Sequence, residues 1–165
     1  MIKNLVFDLG NVLIEWNSEK ILTSFEPEKE RRQILRQAIF DSGVWHQTDK
    51  GELSLKEACD EVLAQLDDSY HPAVQNIFYN WYEVVEVYSG LQEQIGLWAD
   101  RGYRIYILST TCEIFYRIEK AGLLPIFRLL SGYILSSEVG VVKPELEIYQ
   151  KLLKKYSLDP TESVF

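Results

Sequence analysis

NLVFDLGNVLIEW, residues Asn4 to Trp16, decides how the rest of the chain is read. Leu5, Val6 and Phe7 run straight into the carboxylate of Asp8. Gly10 and Asn11 follow, and then the chain turns apolar again. A short, partly β-branched apolar run closed by a glycine reads as a buried strand, here Lys3 to Asp8. A buried strand that carries a carboxylate to its own C-terminal tip leaves two readings open, a turn residue or a chemical group.

The texture changes downstream. From about Ser18 to Tyr88 the apolar spacing is helical. Ser18 reads as an N-cap with Ile21, Leu22 and Phe25 behind it. Pro27 stands near the start of a run with Ile34, Leu35, Ala38 and Ile39 at helical spacing. Ser54 followed by Glu57 predicts a capping box. Pro72 opens a further helix, rich in aromatic residues. After Ser89 and Gly90 the pattern alternates. LQEQIGLWADRG reads as a helix ended by Gly102, and YRIYILS (Tyr103 to Ser109) as a strand. CEIFYRIEKAG reads as a helix ended by Gly122, GYILSSE as a strand, PELEIYQKLLKKY as a helix, and SVF as the start of another strand. Strand and helix in alternation at these lengths predict βαβ units and a parallel sheet. The expected architecture is an α/β core with an all-helical insert of roughly 70 residues after the first strand.

The 165 residues suffice for one compact core or a core with a small insert. Apolar residues make up 47%, which excludes a disordered chain. A net charge of −8 argues against a nucleic-acid or anionic-membrane surface. It also repels a phosphorylated ligand at long range, so an anion site needs a metal, a lysine or helix N-termini. No run of about 18 apolar residues exists to span a membrane, and the start lacks a secretory leader. Cys59 and Cys112 form no CxxC pair, and two such thiols are expected to be reduced, in a cytoplasm. His46 and His71 share no metal-ligand spacing with each other or with the cysteines.

In open parallel sheets, ligands bind beyond the carboxyl ends of the strands. Asp8 belongs there, as does Ser109 at the end of YRIYILS. Lys143 lies just before a helix expected to be opened by Pro144. Singly, each has an ordinary structural reading: Asp8 and Ser109 as caps, Lys143 as a solvated charge. Together, a carboxylate, a hydroxyl and an ammonium reach one rim from three segments.

These segments resemble the motifs of the haloacid-dehalogenase superfamily, a phosphatase-rich class with an aspartate nucleophile. VFDLGNVL resembles the first motif, YILSTT the second, and SSEVGVVKPELEIY the third. The wording DLGN and the KPE run are similar to the branch containing bacterial α-glucose-1-phosphate phosphatases. The resemblance implies a Rossmann-like parallel sheet core of residues 1–15 and 89–165, with a helical cap of residues 16–88. It implies that Asp8 attacks phosphorus and forms an aspartyl-phosphate. Mg2+ would be held by Asp8 and the Gly10 carbonyl. The backbone N–H groups of Leu9 and Gly10 would cradle the phosphate. Ser109 and Thr110 would bind phosphate or substrate, and Lys143 would hold nucleophile and phosphate together. The implied partner is a small phosphorylated metabolite, sugar phosphates among the classes, with neither nucleic acid nor membrane.

The chain departs from that pattern in three places. The residue two after the nucleophile is usually a second aspartate that moves protons, a role worth about 10²–10⁴-fold. Here it is Gly10. The resembled branch shares this absence, as do the superfamily's dehalogenases, so a 2-haloacid dehalogenase using Asp8 stands as the second reading. The fourth motif, an acidic pair after a short apolar strand, is not found: ESVF runs to Phe165. The expectation is a truncated form of a chain of roughly 200 residues, with strand-one backbone groups left unpaired and apolar faces uncovered. A short, inactive binding relative is the alternative. Lastly, Thr110 stands where close relatives often carry asparagine.

Other residues carry weaker signals. Phe40, Trp45, Phe78, Tyr79, Trp81 and Tyr82 are expected mainly in the insert's own core. Trp16 stands where the chain enters the insert, and lining the cleft is the less favoured reading for it; His46 is read as a surface or packing residue, with a ligand contact as the alternative. Glu138 or Glu145 could hold the Lys143 ammonium. Cys112, near a helix start, could have a lowered pKa, yet ranks below Asp8 as a nucleophile.

Overall fold

The computed structural model describes residues Met1–Phe165. Four parallel strands form one sheet in the order β3-β2-β1-β4. They are β1 (Asn4–Phe7), β2 (Arg104–Ser109), β3 (Leu130–Leu135) and β4 (Ser163–Val164). β1 pairs β2 in the register Asn4↔Arg104 to Phe7↔Ile107, and β2 reaches β3 with Ser109 opposite Leu135. The expected α/β fold with a parallel sheet is therefore present.

Side chains along β2 alternate between two cores, as the strand's period of two requires. Ile105 and Ile107 enter the larger one, and Tyr106 and Leu108 face the other. The second core is closed by Ile148 and Leu152 of a helix at Leu146–Tyr156. The larger core runs without a break from the sheet into the segment between β1 and β2.

That segment holds α1 (Ser18–Phe25), α2 (Lys29–Arg36), α3 (Val44–Lys50), α4 (Leu55–Gln65), α5 (His71–Tyr79) and α6 (Ser89–Asp100). Ala58, Cys59 and Val62 of α4 face Val74, Ile77 and Phe78 of α5, all buried. Its two connections to the sheet are held side by side. Glu15 N donates to Glu86 O at 2.8 Å, and Tyr88 N to Leu13 O at 3.0 Å.

Several local expectations hold. Ser54 Oγ accepts from Glu57 N and Glu57 Oε2 from Ser54 N, the reciprocal pair that satisfies two orphan donors of α4. Pro72 sits in the first turn of α5, where its missing N–H costs no bond. Two expectations are corrected. α1 is capped by Asn17, whose Oδ1 accepts from Lys20 N at 3.1 Å, and Ser18 is already helical. The helix after Lys143 starts at Leu146 instead of Pro144, because Glu145 has a non-helical backbone, at φ −57° and ψ 129°, and its carboxylate accepts from Val142 N.

The remaining elements are α7 (Ile114–Lys120), α8 (Ser136–Val139) and α9 (Leu146–Tyr156). α3 rests on α8. Ser136 Oγ donates to Asp49 O, and Gly51, at φ +77°, passes so close that a methyl group there would lie 2.1 Å from Ser137 O. Only glycine combines that left-handed backbone with that approach.

The expectation of an unpaired first strand is corrected in part. β4 lies beside β1, pairing Asn4 with Ser163 and Leu5 with Val164. Val6 and Phe7 lack a β4 partner, and an apolar cavity of 690 Å³ opens next to them, lined in part by Trp98, Val164 and Phe165.

Candidate active site

The carboxyl ends of β1 and β2 deliver Asp8 and Ser109 to one rim, and the loop before α9 brings Lys143 to it. Asp8 Oδ2 lies 2.5 Å from Lys143 Nζ. Asp8 Oδ1 accepts from Leu9 N at 2.7 Å. Lys143 Nζ also donates to Leu108 O at 3.2 Å, which anchors the ammonium to the end of β2. The carboxylate is thus held by a full charge and an amide, and both are charge-assisted contacts.

Asp8, Leu9, Gly10, Ser109 and Thr110 line one cleft of 310 Å³. Lys143 adjoins it through Asp8. Ser109 is 1% exposed, so its hydroxyl belongs to the cleft wall and not to bulk solvent. Thr110 also supports the lysine: its Oγ1 accepts from Lys143 N at 3.1 Å and thereby sets the backbone that carries the ammonium. Leu9 N–H is spent on the Asp8 carboxylate, so of the two amides expected to cradle a ligand only Gly10 N–H has no protein acceptor.

The far wall comes from the helical insertion. Trp16 joins Trp45 and Trp81, with ring centroids 5.0 and 4.8 Å away. The spacing of Trp45 and Trp81 marks them as core, and they are buried, at 8% and 3% exposed. They serve the insertion's core and the cleft at once, which helical periodicity does not reveal. Asn11 is also on the wall, in the left-handed region at φ +57°. Its Oδ1 accepts from Trp16 N at 2.9 Å and fixes the backbone that carries that ring. Asparagine tolerates this backbone, and an asparagine directly after a glycine was the available signal.

Asp49 of α3 lies on the same wall, unmarked by any motif. It makes no ion pair, and no protein group donates to its carboxylate. Burial, with nothing opposing it, pushes its carboxyl from 3.8 up to about 7. Cys112 corrects another expectation. Burial pushes its thiol up to about 12, so the nearby helix start does not activate it. His46 is exposed and away from the cleft lining. Glu138 accepts from Tyr116 Oη and Glu145 from Val142 N, leaving Lys143 to Asp8.

The donor set fits magnesium as a partial shell. No cluster of three acidic, histidine or cysteine side chains surrounds the rim. Magnesium, however, keeps several waters and takes one or two carboxylates together with phosphate oxygens. Asp8 supplies a carboxylate, and the Gly10 carbonyl, which accepts no protein hydrogen bond, supplies a second oxygen.

Known proteins share this fold. A HAD family enzyme from Bacteroides thetaiotaomicron, bt-2542, in a magnesium complex, is 25% identical, with 98% of this chain and 81% of that chain covered and a TM-score of 0.74. The wild-type form of that enzyme in complex with magnesium and inorganic phosphate is 24% identical at the same TM-score, covering 99% and 83%. L-2-haloacid dehalogenase from Xanthobacter autotrophicus, with chloropropionic acid covalently bound, shares the fold at 16% identity, a TM-score of 0.62, and coverage of 99% and 68%. The family model of haloacid dehalogenase-like hydrolases matches residues 2–165, and the chain belongs to that family of hydrolases.

Proposed function

We propose that the chain is a magnesium-dependent phosphatase of small phosphorylated metabolites, working through an aspartyl-phosphate on Asp8. One observation carries the reading: the Asp8 carboxylate stands 2.5 Å from the Lys143 ammonium at a rim shared with the Ser109 hydroxyl. In this reading residues 16–88 act as a cap over a core of residues 1–15 and 89–165.

Phosphoryl transfer asks an enzyme for positioning and for charge opposite the equatorial oxygens. Lys143 neutralises charge shared between Asp8 and the phosphoryl group. The Ser109 hydroxyl and Gly10 N–H donate to phosphoryl oxygens. Thr110 keeps Lys143 in place through its backbone. When bound by Asp8 and the Gly10 carbonyl, magnesium supplies electrostatic stabilisation of the phosphoryl charge. Asp8 then attacks phosphorus, the ester oxygen departs, and water later cleaves the acyl phosphate. Magnesium in the bt-2542 complexes, with inorganic phosphate in one of them, supports the cofactor and the chemistry by analogy.

The aromatic wall of Trp16, Trp45 and Trp81 suits a leaving group with a flat apolar face. Sugar phosphates fit that description, in keeping with the likeness to α-glucose-1-phosphate phosphatases. A cytoplasmic metabolite pool is the matching setting. No helix is long and apolar enough to cross a membrane.

The test is hydrolysis of p-nitrophenyl phosphate with magnesium. Turnover is expected to vanish in Asp8→Asn and in EDTA. Undiminished turnover in either condition refutes the mechanism. A metal-independent 2-haloacid dehalogenase is the second reading. It is favoured by a rim whose clustered charge is a single carboxylate–lysine pair. Halide release from 2-chloropropionate in EDTA would select it.

A further inference from the structure

The phosphatase reading leaves a proton unassigned. The departing ester oxygen needs one, and the water that cleaves the acyl phosphate must lose one. Gly10, two residues after Asp8, has no side chain to carry either. Space is not the reason: a methyl group at Gly10 would meet only Trp16 Cβ, at an ordinary 3.5 Å. The volume beside the nucleophile is therefore open to a group from elsewhere.

Asp49 is that group. It lines the cleft that Asp8, Gly10 and Ser109 line, and it comes from α3 instead of from a strand tip of the sheet. Its position is fixed from both sides. Ser136 Oγ donates to Asp49 O and accepts from Thr111 N at 2.9 Å, which ties this point of α3 to the loop after Ser109. Two residues on, Gly51 packs its backbone against Ser137. The carboxyl itself is engaged by no ion pair and no protein hydrogen bond, and the fold holds it half-buried without a partner. Such a group lowers stability when charged, and unpartnered groups of this kind in a cleft are characteristic candidates for chemistry.

We propose that Asp49 is the general acid and base of this site, acting across the cleft in place of a side chain at position 10. The proposal rests on the phosphatase reading. In the first step Asp8 Oδ forms a bond to phosphorus and the P–O bond to the leaving group breaks. Its electron pair stays on the leaving oxygen, which takes the proton of the Asp49 carboxyl and departs as an alcohol. In the second step water attacks phosphorus, and the Asp49 carboxylate accepts its proton. The P–O bond to Asp8 breaks, which restores the Asp8 carboxylate and releases inorganic phosphate. Burial raises the Asp49 carboxyl to about 7, near the optimum for a group that must both give and take a proton at neutral pH.

Other ionisable groups stand on the elements around it. α3 carries His46 and Lys50, the latter 2.7 Å from Glu52. The rim and its loops carry Asp8, Cys112 and Glu113, α8 carries Glu138, and the loop before α9 carries Lys143 and Glu145. Lys143 is paired with Asp8, Glu138 accepts from Tyr116, and Cys112 stays a neutral thiol.

The experiment compares two aryl esters of matched shape, with magnesium, in the full chain. p-Nitrophenolate leaves without a proton, whereas phenolate from phenyl phosphate benefits from one. Asp49→Asn should lower kcat/KM, which reports the steps up to release of the leaving group, by about 10²–10⁴-fold on phenyl phosphate and by less than about 10-fold on p-nitrophenyl phosphate. Asp49→Glu should recover part of the loss. The kcat limb near neutrality should disappear in Asp49→Asn and persist in His46→Gln. An equal loss on both esters, no loss on either, or a limb that follows His46 overturns Asp49's role. Those outcomes leave the phosphatase reading standing, since it fails separately if Asp8→Asn still turns over. Carbon-13 titration of Asp49 in the unaltered protein serves even if the variant fails to fold. A midpoint near 7 is expected, and one in the ordinary carboxylate range overturns the proposal.

Discussion

Replacing Gly51 by alanine tests whether the helical insertion is clamped onto the sheet rim where α3 meets α8. Two penalties act there. The residue lies at φ +77°, where a Cβ costs about 1–2 kcal/mol. The added methyl would also stand 2.1 Å from Ser137 O and 2.9 Å from Ser137 C, both backbone atoms. The two segments must separate by roughly 1 Å to restore ordinary contact. Forcing such a shift in a packed junction costs about 1–3 kcal/mol more. Gly43 supplies the control. Its φ is +88°, yet nothing lies within 4 Å of the position a Cβ would take. Gly43→Ala should therefore lose about 1–2 kcal/mol and Gly51→Ala about 2–5 kcal/mol. At about 2–4 °C per kcal/mol for a chain of this size, thermal unfolding resolves the difference. Urea denaturation gives the same comparison through the midpoint. Gly51→Ala should also lower p-nitrophenyl phosphate turnover at temperatures where both variants are folded, because Asp49 and Trp45 move with α3. Equal losses of stability at the two glycines would refute the clamp.

Two further outcomes follow from the site. Lys143→Met should cut kcat on p-nitrophenyl phosphate by about 10²-fold or more, because it removes the charge shared by Asp8 and the phosphoryl group; steady-state kinetics read this, and a change confined to KM would contradict it. Asp49 shapes stability as well. Its carboxyl is raised from 3.8 to about 7 in the folded chain, so its contribution is fully present below about pH 4 and is lost as pH climbs through 7. Asp49→Asn removes that slope. Above neutrality the variant should be more stable than the unaltered protein, by at most about 4 kcal/mol and by less where cleft water screens the charge. Urea midpoints followed from pH 4 to 8 measure it, and parallel curves would contradict it.

The sheet was legible in the sequence because its strands are short apolar runs with turn signals at both ends, as in YRIYILS. The rim residues Asp8, Ser109 and Lys143 were legible because each stands at a strand tip or a loop placed by a motif. What escaped were contributions set by tertiary packing. Trp45 and Trp81 have the spacing of core residues and are core residues, but the same rings face the cleft from behind the first layer. Asp49 has no motif, and its unusual carboxyl arises from burial in the cleft, a property of neighbours distant in the chain. Cys112 misleads in the opposite direction: proximity to a helix start suggests activation, whereas burial dominates.

Chemical trapping of the acyl phosphate addresses the nucleophile directly. The protein is mixed with magnesium and excess p-nitrophenyl phosphate, treated with borohydride during turnover, digested, and sequenced by mass spectrometry. Reduction of a phosphorylated aspartate yields homoserine, and that change is expected at position 8 and nowhere else. Sustained hydrolysis with Asp8 recovered unmodified, or with the label on another carboxylate, would contradict it.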